Sequence, residues 1–279
     1  MSDSTSYEHI IYQVDDPVAV ITLNRPDSMN AWTGTMDHEL RDAAARAAGD
    51  RAVVGIIITG AGRAFCAGAD MGALDELSSG RAEAPADRPE AQPSGVEPGD
   101  FDGRLMFPMT IEKPVVAAVN GAVAGMAYPL ALACDIRVGT PKSLFVTAFA
   151  QRGLIAEWGL SWLLPQLVGP SVALDLLMSS RRVYGEEAKE LGLLNHLVAE
   201  DELLDVSRRY IEDLATSCSP TSIAVMKRQV YEHYHRGLGQ AEFEARKLMV
   251  DSFNRPDFAE GVRSFIQKRP PRFARLPLD

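Results

Sequence analysis

The sequence is poor in the residues that build disulfide and metal sites. Its three cysteines, Cys66, Cys134 and Cys218, cannot all pair with one another and do not have the spacing of a metal site. The five histidines are scattered, and two of them, His233 and His235, stand two residues apart on a predicted helix, so they cannot share a face. We predict no metal site and a reducing compartment, which indicates the cytoplasm.

Basic residues are also scarce. The chain has 28 lysines and arginines against 38 aspartates and glutamates, a net charge of −10, which argues against nucleic acid or an anionic membrane as the main partner. No apolar run reaches the roughly 18–20 residues of a membrane span, and the first residues lack the basic and apolar regions of a signal peptide. We expect a cytoplasmic protein without a nucleic-acid partner or a membrane span.

The apolar content is ample for a packed core. With 46% apolar residues in 279, the chain can bury the core of one large domain. We predict a core domain over residues 1–200 and a helical region over 201–279. Between Leu74 and Phe107 four prolines stand among glycines and charged residues without a period. A flexible loop at about 75–105 is typical of a lid over a site or of a neutral insertion, and both interpretations remain open.

Hydrophobic periodicity predicts the elements of the core. Two strands, 10–14 and 18–23, flank the hairpin signal Asp15-Asp16-Pro17, and a helix follows over 33–48. Further segments are predicted by apolar spacing alone. They are a strand at 53–59, strands on either side of 139–141, and helices at 159–167, 172–178, 201–216, 220–235, 239–252 and 257–267.

The stretch 111–135 carries the clearest functional signal. A β-branched and alanine run at 115–119 precedes the turn Asn120-Gly121, and a helix-like apolar segment follows. The side chains after the turn are unusually small. Tight packing of a helix on a sheet would explain them, and so would a ligand oxygen that approaches unpaired backbone N–H groups near Gly125 and Met126.

A second stretch of the sequence favours the explanation in which the small side chains make room for a ligand oxygen. The buried strand at 53–59 leads into AFCAGAD at 64–70, about fifty residues before VNGAVAGMA at 119–127. This pair of segments resembles the two signature regions of the crotonase, or enoyl-CoA hydratase/isomerase, superfamily. The resemblance continues in LNRPDSMNAW at 23–32, GLIAEWGLSWLLPQLVG at 153–169 and EGVRSFIQKRPPRF at 260–273. It implies an α/β fold, a spiral of ββα units with a C-terminal helical trimerisation region, and a homotrimer or hexamer.

The resemblance also implies a reaction. In this superfamily two backbone N–H groups form an oxyanion hole for the thioester oxygen of an acyl-CoA, as in the hydration or isomerisation steps of fatty acid β-oxidation. The donors here would be Ala69 and Met126. Coenzyme A belongs to the substrate, so no separate cofactor is expected.

The acid and base groups depart from the family pattern. Pro129 and Phe149 stand where a typical hydratase has its two glutamates, and neither can transfer a proton. Glu157 resembles the catalytic acidic residue of family isomerases, so we expect isomerisation rather than hydration. A helix N-terminal acid is the structural interpretation of Glu157. A catalytically inactive acyl-CoA-binding protein is the alternative function.

Substrate binding is inferred from the same resemblance. Arg25 would meet the nucleotide of coenzyme A, and Phe265 with Lys268 would be offered by a neighbouring subunit, although an ordinary amphipathic helix also explains those two residues. The other predicted contacts to coenzyme A or the acyl chain are Ala67, Gly68, Asp70, Gly125, Pro129, Phe149 and Trp158.

Overall fold

The structure is a computed structural model that describes residues 6–81 and 105–277. Its strands are β1 (Ile10–Asp15), β2 (Val18–Leu23), β3 (Gly55–Gly60), β4 (Ala64–Cys66), β5 (Val115–Val119), β6 (Ala122–Ala124), β7 (Ile136–Gly139), β8 (Leu144–Val146), β9 (Val183–Tyr184) and β10 (His196–Leu197). Its helices are α1 (Gly34–Gly49), α2 (Met71–Ser78), α3 (Ala127–Ala133), α4 (Leu160–Ser179), α5 (Gly185–Glu190), α6 (Leu203–Ser217), α7 (Pro220–His233), α8 (Leu238–Phe253) and α9 (Pro256–Ile266).

The strands form two sheets. The larger has the order β1-β2-β3-β5-β7-β10, with β1 antiparallel to β2 and the remaining pairs parallel. The smaller has the order β4-β6-β8-β9, and its first three strands are parallel. Parallel strands covered on both faces are read in sequence as continuous apolar runs. The runs at 53–59 and 115–119 accordingly form β3 and β5 in the middle of the larger sheet.

Local signals in the sequence place α1 on that sheet. The hydroxyl of Thr33 accepts a hydrogen bond of 3.0 Å from the N–H of Met36, which caps the helix. One side of the helix faces the core, and its buried apolar residues are Met36, Leu40, Ala43, Ala44 and Ala47. The predicted hairpin and the predicted α1 are therefore confirmed, although the helix includes Gly49.

Three expectations need correction. The helix α2 occupies the beginning of the segment predicted to lack structure from Leu74, because Asp70 caps its first turn through the N–H of Gly72. The short strand β6 stands between the Asn120-Gly121 turn and α3, where we expected the helix to follow directly. Leu203 and Ile211, which lie in the helical region expected to join subunits, are instead buried within the chain. The rest of the predicted lid, residues 82–104, lies outside the described residues.

The helix α4 consists of two helices that meet at Gly169. That residue has φ 76° and ψ 159°, so the two helices predicted at 159–167 and 172–178 are confirmed. By length and composition alone, α4 is the one helix among the described residues that could cross a membrane. It reaches that length only across the kink, and it packs against α3.

The helix α6, the first helix of the region 201–279, packs against the core. Leu203 and Ile211 of α6 pack on the face of the larger sheet opposite to α1. Gly55 in β3 permits this approach, because a Cβ atom there would lie 2.8 Å from the side chain of Ile211. The boundary at residue 200 remains a prediction, and α6 lies directly on the sheet of the first region.

A buried polar cluster fastens α7 to the core. The carboxylate of Asp135 accepts hydrogen bonds from Lys227 Nζ (2.7 Å), the Tyr231 hydroxyl (2.9 Å) and the backbone N–H of Val115 (2.7 Å). Burial lowers the pKa of Lys227, and the charge of Asp135 opposes that shift. Lys227 also donates to the carbonyl of Pro108, so one ammonium group joins three segments.

Two buried tyrosines allow a stability prediction with a built-in control. The Tyr128 hydroxyl is buried and has no hydrogen-bond partner in the described structure, whereas the Tyr231 hydroxyl binds Asp135. Removing a paired hydroxyl leaves its buried partner unsatisfied, which costs about 1–3 kcal/mol. We therefore expect Tyr231→Phe to lower the free energy of unfolding by about that amount, and Tyr128→Phe to leave it unchanged or raise it, in urea titrations. An equal loss in both variants would contradict the assigned hydrogen bonding.

Candidate active site

The strand ends of the smaller sheet bring three loops together. β4 and β6 pair in parallel, with Ala64 opposite Ala122 and Cys66 opposite Val123, and β8 pairs on the other side of β6. Parallel strands point their carboxyl ends to one edge. The segments 67–70, 125–126 and 147–149 therefore meet there, as the two signature motifs predict.

Gly68 and Gly125 form a close backbone contact at this edge. Their φ angles are 92° and 51°, a region that other residues rarely adopt. A Cβ atom on Gly68 would lie 2.8 Å from the carbonyl oxygen of Ala124 and 3.6 Å from the Cα of Gly125. A side chain at Gly68 does not fit between the two loops, so glycine is required there, whereas a Cβ at Gly125 would lie 3.8 Å from the Cα of Gly68 and only the φ angle favours glycine.

Each of these glycines is followed by a residue whose N–H is available. The backbone around them is pinned, since Trp32 N–H donates to the Gly68 carbonyl (2.7 Å) and Gly125 N–H donates to the Val146 carbonyl (3.2 Å). Within the described residues, the N–H groups of Ala69 and Met126 have no backbone or side-chain acceptor. Two such donors on adjacent loops can bind one oxygen that gains negative charge.

Two asparagines to which the sequence motifs assign no such role fix the backbone that leads to this edge. The side-chain amide of Asn30 donates to the carbonyls of Ala61, Ala64 and Phe65 at 2.8–3.2 Å. The amide of Asn120 donates to the carbonyls of Gly60, Gly62 and Ala64 at 2.9–3.2 Å. Both side chains thereby satisfy loop carbonyls next to the core. The sequence pattern predicts only a turn at Asn120, and nothing in the spacing predicts a structural role for Asn30.

Glu157 lies on the turn that leads into α4. Burial raises the pKa of its carboxyl group, and the nearby indole N–H of Trp158 lowers it in part. Ile155 is 78% exposed, so its side chain contributes little to this burial. The carboxyl is half-buried, and α4 packs against α3, the helix that begins next to Met126. A carboxyl with a raised pKa is suited to proton transfer near neutral pH.

The two positions without acids are apolar and buried. Pro129 lies in α3 and Phe149 follows β8, both with almost no exposed surface. They can shape a pocket but cannot exchange a proton. Of the two carboxyl groups predicted for the site, at Glu157 and Asp70, only that of Glu157 has a raised pKa.

Arg25 and Asp70 form an ion pair that the sequence did not predict. Their closest atoms are 3.2 Å apart, and Arg25 also donates to the Ala31 carbonyl at 2.6 Å. The N–H of Gly72 and the charge of Arg25 lower the pKa of Asp70. Ala67 lies beside them through its N–H bond to the Met29 carbonyl. The pair stiffens the segment that carries Ala69, and the partners stand 45 positions apart in the chain, which explains why spacing gave no signal.

Phe265 and Lys268 lie at the C-terminal end of α9, far along the sequence from the loops of the candidate site. Phe265 is 86% exposed at the end of α9, and α9 packs on α8. The prediction that a neighbouring subunit uses them stays a prediction. As for metals, no group of three or more histidine, cysteine, aspartate or glutamate side chains comes together within residues 6–81 and 105–277.

Comparisons with known proteins agree over nearly the whole chain. A family model described as enoyl-CoA hydratase/isomerase matches residues 13–275. A Rhodobacter capsulatus protein named "Probable enoyl-CoA hydratase" is 36% identical over 96% of this chain and 98% of its own. The 1,2-epoxyphenylacetyl-CoA isomerase of Escherichia coli K12 is 31% identical over 95% and 98%. The crystal structure of an enoyl-CoA hydratase from Mycobacterium tuberculosis H37Rv superposes with a TM-score of 0.81 at 29% identity, covering 95% and 98% of the two chains.

Proposed function

The chain belongs to the enoyl-CoA hydratase/isomerase family, and on that premise we propose that it isomerises an enoyl-CoA thioester. The family and the α/β fold expected from the two glycine-rich motifs are confirmed. The observation that carries the isomerase assignment is the raised pKa of the Glu157 carboxyl together with the burial of Pro129 and Phe149, the residues that the resemblance places where the usual glutamates stand.

The reaction follows from these groups. The Glu157 carboxylate takes a proton from a carbon next to the thioester carbonyl, and the electron pair moves to the thioester oxygen. The N–H groups of Ala69 and Met126 bind that oxygen, and a preorganised donor of this kind is worth about 10²–10³ in rate. Glu157 then returns the proton to another carbon. One carboxylate suffices for such a transfer, whereas hydration needs groups that orient and split a water molecule.

The names of the relatives allow both reactions. The Rhodobacter capsulatus relative is named a hydratase and the Escherichia coli relative an isomerase, although both match this chain over nearly its full length. The apolar residues at 129 and 149 favour isomerisation here. The alternative function is a protein that binds acyl-CoA in the same pocket without catalysing a reaction.

Coenzyme A binding in this proposal uses the segment beside the oxyanion donors. Arg25 keeps a partly exposed side chain next to Asp70, which suits contact with the nucleotide end. Phe265 and Lys268 would complete the site from a neighbouring subunit. That role requires an oligomer.

Apolar side chains remain exposed on the tail helices, which supports a homotrimer or hexamer. They are Met226, Val230, Leu238, Phe243, Met249, Val250, Phe253, Phe258, Val262 and Phe265. Patches of this extent are usually covered by another chain. We expect a trimer or hexamer in light scattering at micromolar concentration. A folded monomer would contradict the proposal.

The assignment of Glu157 has a direct test. Glu157→Gln keeps the shape of the side chain and removes the base, so isomerase turnover on a panel of enoyl-CoA esters should fall by about 10²–10⁴-fold. Binding of the acyl-CoA should change little. Glu190→Gln, an exposed carboxyl on α5, is the matched control and should keep full activity.

Two results would overturn the assignment. Full activity in Glu157→Gln would remove Glu157 from the reaction. An unmutated protein that binds acyl-CoA esters but turns over none of the panel would make it a binding protein.

A further inference from the structure

One peptide group of the candidate site takes its orientation from the neighbouring segment 29–32. The carbonyl of Gly68 accepts a hydrogen bond of 2.7 Å from the N–H of Trp32. In a planar trans peptide group the carbonyl oxygen and the amide hydrogen point in opposite directions. The N–H of Ala69 belongs to the same peptide group as the carbonyl of Gly68, so it points away from Trp32. The direction of this oxyanion donor therefore depends on the position of Trp32.

The backbone of 29–32 pairs with that of 67–70. Trp32 forms a parallel bridge with Ala69, in which the carbonyl of Trp32 accepts a hydrogen bond of 3.3 Å from the N–H of Asp70. The residues on both sides of Ala69 are thus bound to the same partner. A shift of the segment 29–32 would carry the donor of Ala69 with it.

The side chain of Asn30 holds that segment from within the core. Asn30 is buried and has φ 56°, a left-handed conformation that asparagine adopts more often than most residues. Its amide oxygen accepts a hydrogen bond of 2.8 Å from the N–H of Arg25. Its amide nitrogen donates to the carbonyls of Ala64 (2.8 Å) and Phe65 (3.2 Å) in β4. Since β4 leads directly into the first loop of the site, one amide sets the spacing between the segment and that loop.

We propose that Asn30 is a positioning residue for the reaction, which keeps the N–H of Ala69 aimed at the thioester oxygen by holding Trp32 in place. This inference rests on the proposed function, because that function assigns the thioester oxygen to the N–H groups of Ala69 and Met126. Asn30 acts through the backbone and needs no contact with the substrate. A misplacement of about 1 Å in a site can cost about 10²-fold in rate, so a small shift of the segment is sufficient.

Asn30→Gly tests the proposal without adding backbone strain. Glycine adopts φ 56° freely, so the variant removes the amide and leaves the backbone conformation accessible. On a panel of enoyl-CoA esters, kcat should fall about 10- to 100-fold and KM should change less than about threefold. Asn195→Ala is the control, because it removes a side-chain oxygen that binds the backbone N–H of Arg137 at 2.8 Å, outside the candidate site. It should leave kcat unchanged.

A binding measurement separates positioning from a general structural role. A 3-ketoacyl-CoA ester ionises readily at the carbon between its two carbonyls, and its enolate absorbs in the near ultraviolet. The unmutated protein should bind this ester with a larger enolate fraction than the free ester has at the same pH, because the two N–H groups stabilise the charged oxygen. In Asn30→Gly the affinity for the ketoester relative to the matched saturated acyl-CoA ester should fall about 10-fold, and the enolate absorbance should fall with it. A purely structural role would weaken the binding of both esters equally.

The outcomes distinguish this inference from the proposed function. Asn30→Ser keeps one hydroxyl donor and replaces Asn30→Gly if that variant does not fold; its affinity ratio should lie between those of the other two proteins. A folded variant that keeps the unmutated enolate absorbance, or one that loses affinity for both esters equally, would overturn the positioning role alone. An unmutated protein that does not raise the enolate fraction of the bound ketoester would overturn the oxyanion site, and the proposed function together with this inference.

Discussion

The contact between Gly68 and Gly125 is the constraint on which the candidate site depends. Two parallel strands, β4 and β6, place these residues at one edge, and the absence of a side chain at Gly68 lets the loops touch. The N–H groups that follow, at Ala69 and Met126, then lie on neighbouring loops with no partner in the described chain. A site for negative charge thus arises from backbone alone, so it tolerates changes in the side chains around it.

Much of the remaining structure maintains that contact. Asn30 and Asn120 bind the carbonyls of the loop before β4, and Arg25 ties Asp70 to the segment before α1. The buried cluster around Asp135 fastens α7 to the same core. The Arg25–Asp70 pair is partly exposed, whereas the cluster around Asp135 lies in a low-dielectric interior, where such networks rigidify a structure. The loops of the candidate site are therefore held by hydrogen bonds between residues that lie far apart in sequence.

The sequence predicted those features that local patterns encode. Apolar runs located β3 and β5, the cap at Thr33 located α1, and the glycine-rich motifs located the two loops of the site. The sequence did not predict β6, whose three residues are too few for a period, or α2, which starts at Met71 and runs into the segment that we expected to lack structure from Leu74. The Arg25–Asp70 pair and the three bonds of Asn30 depend on tertiary contacts, which spacing along the chain does not reveal.

The most direct measurement of the central claim is exchange of the α-protons of a 3-enoyl-CoA ester with deuterated solvent, followed by mass spectrometry. It reports formation of the enolate before any product is released. Gly68→Ala would place a Cβ 2.8 Å from the Ala124 carbonyl oxygen, whereas Gly34→Ala meets nothing within 4 Å. The account predicts that exchange falls about 10²–10³-fold in Gly68→Ala and stays unchanged in Gly34→Ala. Exchange at the unmutated rate in a folded Gly68→Ala protein would contradict it.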